Sequence, residues 1–213
     1  LDNASSNAGT MTVGSGVTVT ATNGLTNTGT LNLDGTIAGA LTLNGGNTIV
    51  NSAVASVTGL TTVNTNGTLT VNANQAFDAA GGLLVDGGAV VANGTISGNV
   101  IFGGDSDVEG TFNDGLTVQS PNTMTVTGDL TYGSLTVQNG ATFTTTGAGG
   151  VAMVGTSNTT TINGAAVYND GDTLDDAGSI DIGATGTVTF NTGATGIRFN
   201  ADDDEDNVGT ITN

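Results

Sequence analysis

One short word recurs along this chain and constrains its fold more than any other feature. GALTLNGG at 39–46 places Leu41 and Leu43 on alternate positions between closing glycines. Variants recur as GTLNLDG at 29–35, GTLTVNAN at 67–74, GLTVQS at 115–120, SLTVQNG at 134–140 and GTVTFNTG at 186–193. Alternation of apolar with polar positions is the period of a strand that buries one face. Val, Ile, Thr, Leu and Phe fill the words and suit a pleated surface. Gly, Asn and Asp fill the gaps and supply the backbone angles of tight turns.

Two all-β architectures compete for such a pattern. A sandwich wants strands of about five to six residues and large side chains meeting from two sheets. This chain of 213 residues holds 6 Phe, 2 Tyr and no Trp, and its words are short. A parallel β-solenoid stacks each strand on its counterpart one coil away, around a narrow interior that takes Leu, Val, Ile, Ala and an occasional Phe. Its corners take Gly, Asn and Asp, and the chain contains 36 Gly. The composition therefore predicts an all-β parallel β-solenoid (β-helix) over residues 1–213, with coils of roughly 20 residues. Asn columns are expected to form side-chain ladders along its axis. The words start at Gly29, Gly39, Gly67, Gly115 and Gly186 with no fixed period, which excludes hexapeptide and nonapeptide repeats. One segment hints at a helix: NANQAFDAAGG at 72–82, with Asn74 as N-cap and Gly81 as C′ residue. Eight residues or fewer make a marginal helix, so it reads as a loop or a single turn.

GTLNLDG, GTLTVNAN, SLTVQNG and GTVTFNTG resemble the strand–turn words of bacterial autotransporter passengers and related large surface adhesins. That resemblance covers most of residues 9–213 and implies a β-solenoid exported to a bacterial cell surface or extracellular matrix. It carries over no functional residue. GGDSDVEG at 103–110 is similar in flavour to calcium-binding glycine-rich repeats but departs from their spacing.

The residues that are absent remove whole classes of chemistry. There is no Cys, which excludes disulfides and thiolate sites, and no His, the usual general base and commonest zinc ligand. Arg198 is the only basic side chain against 19 acidic ones, for a formal charge of −18. Nothing could replace the counterions of a nucleic acid, and nothing draws the chain to anionic lipid. No run of eighteen apolar residues is present to span a membrane as a helix. Carboxylate pairs for sugar hydrolysis arise by chance among so many acids, and one Arg is thin support for a sugar-acid site. The expectation is a protein that is not an enzyme.

Ten of the acidic residues lie between Asp170 and Asp206. NDGDTLDDAG at 169–178 gathers Asp170, Asp172, Asp175 and Asp176 around Gly171, a set suited to a calcium ion. The competing reading is a solvated acidic face that maintains solubility. Asp105, Asp107 and Glu109 alternate along one strand face, which suits repulsion better than chelation. Ice binding by a solenoid needs regular outward Thr pairs on a flat face; VTVTAT at 17–22 and TVTG at 125–128 have them, but LTLNGG, LTVNAN and LTVQNG carry one outward Thr, which strand propensity explains without that function. Asn-Gly-Thr at 66–68 and 93–95 reads as a turn followed by a strand.

Both ends of the sequence are strand words without an obvious cap. Thr10, Met11, Thr12 and Val13 form one, and Thr210, Ile211 and Thr212 the other. Uncapped strand edges pair with further strands. The piece is cut from a longer solenoid, its ends stack on neighbouring copies, or an unrecognised loop covers them. The expected function is a structural stalk, filament or layer built by homo-oligomeric or homopolymeric stacking, with an adhesin module for a glycan or host surface as the rival. With no Lys and a single Arg, trypsin should cut even the urea-unfolded chain only after Arg198, which mass spectrometry of the digest checks as two fragments.

Overall fold

The computed structural model describes residues 4–146, 149–154, 158–169, 173–176, 179–191, 196–199, 206–207 and 210–212. Segments 173–176, 196–199, 206–207 and 210–212 are described by backbone alone. The chain divides into two compact units, residues 1–101 and 102–213. Each is an all-β parallel solenoid.

In the first unit three columns of strands run side by side. In one column Ser5 pairs with Leu25, Leu25 with Leu41, Leu41 with Thr61 and Thr61 with Leu83, all in parallel. In the next, Thr10 pairs with Thr30, Thr30 with Asn47, Asn47 with Thr68 and Thr68 with Ala89. The third joins Thr18 to Thr36, Thr36 to Ser56, Ala55 to Phe77 and Ala76 to Thr95. A coil therefore takes three strands, and its length varies from 16 residues (Leu25 to Leu41) to 22 (Thr61 to Leu83). This variation is why no fixed period is visible in the sequence.

The second unit repeats the scheme. Ser106, Met124, Phe143, Ala166, Val188 and Ile211 succeed one another in one column. Gly110, Leu130, Val151, Leu174 and Ile197 succeed one another in the second. The third runs through Leu116, Leu135, Thr160 and Ile180.

The words fall on these columns as the alternation demands. Leu31, Leu33, Leu41, Leu43, Leu69 and Val71 are fully buried, while the residues between them face out. The interior is stacked as well as filled: Phe143, Tyr168 and Phe190 form a run of rings with centroids 5.6 and 5.1 Å apart.

The strands are not all short. Thr18–Asn27, Ser106–Val118 and Thr123–Val137 each pass from one column to the next without breaking. Register shifts between Ala21 and Leu25, Val108 and Gly110, and Phe112 and Gly115 turn the corners inside them. The segment at 72–82 is neither helix nor loop throughout. Asn74 takes a left-handed φ of 63°, and Ala76–Ala79 is a strand that buries Phe77 against its neighbours. A three-residue turn and an inward Phe outweigh the weak helical propensity of so short a run. The Asn-Gly-Thr at 66–68 is a turn, with Asn66 at φ 64° and Thr68–Val71 following.

The glycines that bracket GALTLNGG sit in two vertical columns at different corners. A Cβ on Gly39 would lie 2.1 Å from the Ala21 carbonyl oxygen, one on Gly59 2.7 Å from Gly39 backbone, and one on Gly81 2.3 Å from Gly59. At the other corner a Cβ on Gly29 would meet Gly9 at 2.2 Å and one on Gly46 would meet Asn27 at 2.6 Å. These corners fold so tightly that successive coils touch backbone to backbone. Gly59 is limited by contact and not by φ, whereas Gly45 has a φ of 80° but nothing within 4 Å. Gly59→Ala should therefore cost about 3 kcal/mol and Gly45→Ala about 1 kcal/mol, the cost of left-handed strain alone. Urea-unfolding midpoints of the two variants check the order.

Candidate functional site

Polar side chains enter the interior at only a few places, and several of these are paired along the axis. The Asn7 amide donates to Asn27 Oδ1 at 2.8 Å and to the Thr30 carbonyl at 2.8 Å. Asn27 in turn donates to the Asn47 carbonyl at 3.0 Å and to Thr48 Oγ1 at 3.3 Å. Asn27 and Thr48 are fully buried, so a broken link would leave an unsolvated amide. The expected Asn ladder exists here, and outside the core Asn72 pairs with Asn51 and Asn191 with Asn169. In the second unit Tyr132 and Thr160 join hydroxyls at 3.0 Å, and Thr160 Oγ1 reaches Met153 Sδ at 3.4 Å.

The described acidic side chains do not gather. No group of three or more carboxylates able to hold a metal is present among the described residues. Several act singly at corners, each accepting a backbone N–H from the following coil. Asp34 accepts from Asn51 at 3.1 Å, Asp105 from Thr123 at 2.7 Å and Asp129 from Gly150 at 2.9 Å. Asp107 is exposed and Glu109 half-buried on the outer side of Ser106–Val118, on alternate positions as the sequence suggests. Of the residues expected to hold calcium, Asp170 and Asp172 lie outside the described residues. Asp175 and Asp176 lie on Thr173–Asp176, whose backbone pairs Asp175 with Ala152 and with Arg198.

The expected edge residues are placed as follows. Thr10–Val13 pairs with Thr30–Leu33, and no described strand pairs with its other side. Met11 occupies an inward position yet is half-exposed, whereas Leu31, its partner in the next coil, is fully buried. Val19 of the same coil is half-exposed while its partner Ile37 is fully buried. Thr210–Thr212 pairs with Thr187–Thr189.

Surface depressions offer little chemistry. One is lined by Leu60, Gly82, Leu84, Asn99 and Ile101 and carries no ionisable side chain. Another, beside Val54 and Phe77, has Asp78 as its one acid. No helix among the described residues is long and apolar enough to cross a membrane. What sequence reasoning missed is the outward Thr alignment taken up below; it depends on register, which the irregular coil lengths conceal.

The fold defines a parallel β-solenoid protein. Comparison with family models, with curated proteins and with solved structures gives no match.

Two interior substitutions separate a satisfied polar group from an orphaned one. Thr61 Oγ1 is buried without a hydrogen-bond partner between Leu41 and Leu83. Thr61→Val should therefore stabilise the fold by about 1 kcal/mol. Asn27→Leu, which resembles Leu43 at the same register position, should cost about 2 kcal/mol by stripping the Asn7 amide and Thr48 of a partner. Opposite shifts of the melting midpoint are the expected readout.

Proposed function

We propose that this chain is a structural, non-enzymatic component of an extracellular bacterial surface layer, stalk or filament, assembled by stacking of solenoid ends between copies. The observation that carries the reading is the parallel in-register stacking of coil on coil within each unit, an arrangement that a further copy of the chain could extend. A strand edge is a template for a further strand, and parallel in-register pairing is what joins successive described coils within each unit. The absence of His, Cys and Lys and the scattered placement of the described carboxylates also favour a mechanical role over a catalytic one. The autotransporter-like words are consistent with export to a cell surface.

The adhesin alternative draws no support from the described surface. Its exposed large apolar residues are Val17, Val54, Leu60, Ile101 and Val154, with no aromatic ring to stack on a sugar.

Stacking brings together chains of charge −18, so it should strengthen as salt shortens the Debye length to about 10 Å near 0.1 M. Electron micrographs of the purified chain should show particles that lengthen with added sodium chloride. Met11→Lys places a charge at an inward position of the first described coil that is only partly buried, where the long side chain can reach solvent. The variant should keep the parent's melting curve and lose the long particles. Single subunits at every salt concentration, in the parent chain itself, would refute end-to-end assembly.

A further inference from the structure

A second surface emerges once register is known. In the second unit, Thr123 and Thr125 pair with Thr142 and Thr144. These pair with Ala165 and Val167, which pair with Thr187 and Thr189. The intervening Met124, Phe143, Ala166 and Val188 are buried, so the Thr side chains stand on the outer face. Four successive coils therefore present two outward positions each, and six of the eight are Thr. The two exceptions include Val167, which has the shape of Thr with a methyl in place of the hydroxyl. On the backbone the register continues to Thr210 and Thr212.

Three further observations set this face apart. No charged residue occupies any of the eight positions, and the acidic side chain Asp107 stands beside them only in the preceding coil, paired with Thr125. None of these four coils has a register shift in the column, so the net of side chains is regular. The hydroxyls of Thr123, Thr125, Thr142, Thr187 and Thr189 make no side-chain hydrogen bond among the described residues; Thr144 makes a long one, 3.5 Å, to the Thr145 carbonyl. Elsewhere outward hydroxyls satisfy one another between coils, as in Thr36 with Ser56 at 3.1 Å and Thr159 with Ser179 at 3.0 Å.

The geometry points to an ice-binding face: the Thr123–Thr189 net adsorbs to crystalline water. Strand geometry spaces the two Thr of one coil about 6.6 Å apart and successive coils about 4.8 Å apart. That rectangular net is close to the oxygen repeats on faces of hexagonal ice. Each Thr offers a hydroxyl to the lattice and a methyl that shelters the water beside it, and β-branching holds both in one rotamer. A neutral face fits a neutral crystal, whereas a carboxylate would hold its own hydration shell against the lattice. A crystalline polysaccharide is the less suitable occupant, because sugar faces pack on exposed aromatic rings and Phe112, Tyr132, Phe143 and Tyr168 are buried. The first unit carries a weaker version, with Thr68 and Thr70 next to Asn47 and Ile49 in one coil and Ala89 and Val91 in the other. This inference does not rest on end-to-end stacking.

The experiment uses the full chain. Thermal hysteresis, inhibition of ice recrystallisation and partition into a growing ice hemisphere are measured on the parent and three variants, with circular dichroism melting as the control for folding. The parent is expected to partition into ice and to shape its crystals. Thr125→Glu combined with Thr144→Glu should raise about tenfold the concentration needed to stop recrystallisation. Ala165→Thr combined with Val167→Thr completes the net and should lower it. Thr136→Glu, on the neighbouring column in register with Thr117 and Thr161, should leave it unchanged. A parent excluded from ice overturns the proposal, as does activity that the completed net fails to raise or that Thr136→Glu abolishes equally. Loss of activity on Thr125→Glu with Thr144→Glu counts in its favour only with an unchanged melting curve. If that variant unfolds, the completed net decides.

Discussion

Parallel backbone pairing from one coil to the next is the interaction on which the rest of this structure depends. Each described strand lies on a counterpart roughly one coil away in sequence, so nearly every contact is long-range. The aromatic share is only 4%, and burial of small aliphatic side chains alone would hold such a chain weakly. The ladder satisfies backbone donors and acceptors above and below each coil, and it forces like positions into vertical columns. Those columns then decide what each residue can be. An inward column stacks mainly apolar side chains, as Leu31, Leu69 and Val90 do, with Thr48 between Leu31 and Leu69 giving its hydroxyl to Asn27 as an acceptor. A tight corner must stack glycines, as Gly39, Gly59 and Gly81 do.

The same constraint explains how so acidic a chain closes with a single basic side chain of its own. A carboxylate at a corner stands one coil spacing from the backbone N–H of the following coil, and Asp34, Asp105 and Asp129 each accept one there. A backbone donor is neutral, so these contacts tie successive coils together without a counter-charge. Buried amides follow the axial rule as well. Asn7 reaches Asn27, and Asn27 reaches Thr48, each one coil onward. Where the partner is missing, as at Thr61 Oγ1, a hydroxyl is left buried among leucines.

How much of this was legible depends on whether a feature is local. The alternation in LTL and LTV identified the inward Leu41, Leu43, Leu69 and Val71, and the glycines at word ends marked corners. Class of fold followed from those two facts with the scarcity of aromatics. The strand at Ala76–Ala79 did not, because FDAA carries local helix propensity and the inward pull on Phe77 comes from Ala55 and Ile96 in other coils. The long strands were hidden for a related reason: Thr123–Val137 bends at corners that a reader of local signals takes as breaks. Outward Thr pairs were noticed at Thr125–Thr127 in one word, yet the pair that counts is Thr123 with Thr125, and only its neighbours in other coils reveal this. The acidic run from Asp170 onward was conspicuous in the sequence, but Asp170 and Asp172 fall outside the described residues.

Irregular coil length and a regular outer face look incompatible, and the way they coexist explains where order is kept. In the second unit the step between coils is 19 residues from Thr123 to Thr142, 23 from Thr142 to Ala165 and 22 from Ala165 to Thr187. A helix could not absorb such changes without rotating its faces, since each added residue turns every later side chain. A solenoid absorbs them at its corners, because only the strand segments must match. The register shifts between Ser106–Val118 and Thr123–Val137, from Val108 to Gly110 and from Phe112 to Gly115, lie at corners beyond the pairing of Asp107 and Val108 with Thr125 and Val126. The flat column is thereby insulated from insertions elsewhere in the coil. Thr-x-Thr recurs there as TMT, TFT, TVT and TIT, interrupted once by AAV at 165–167, while the sequence between them drifts. Local strand propensity favours Thr at any outward position, and it would scatter Thr among all three columns. It accounts for the single row of Thr117, Thr136 and Thr161 on the neighbouring column, but not for paired Thr in three of four successive coils on this one.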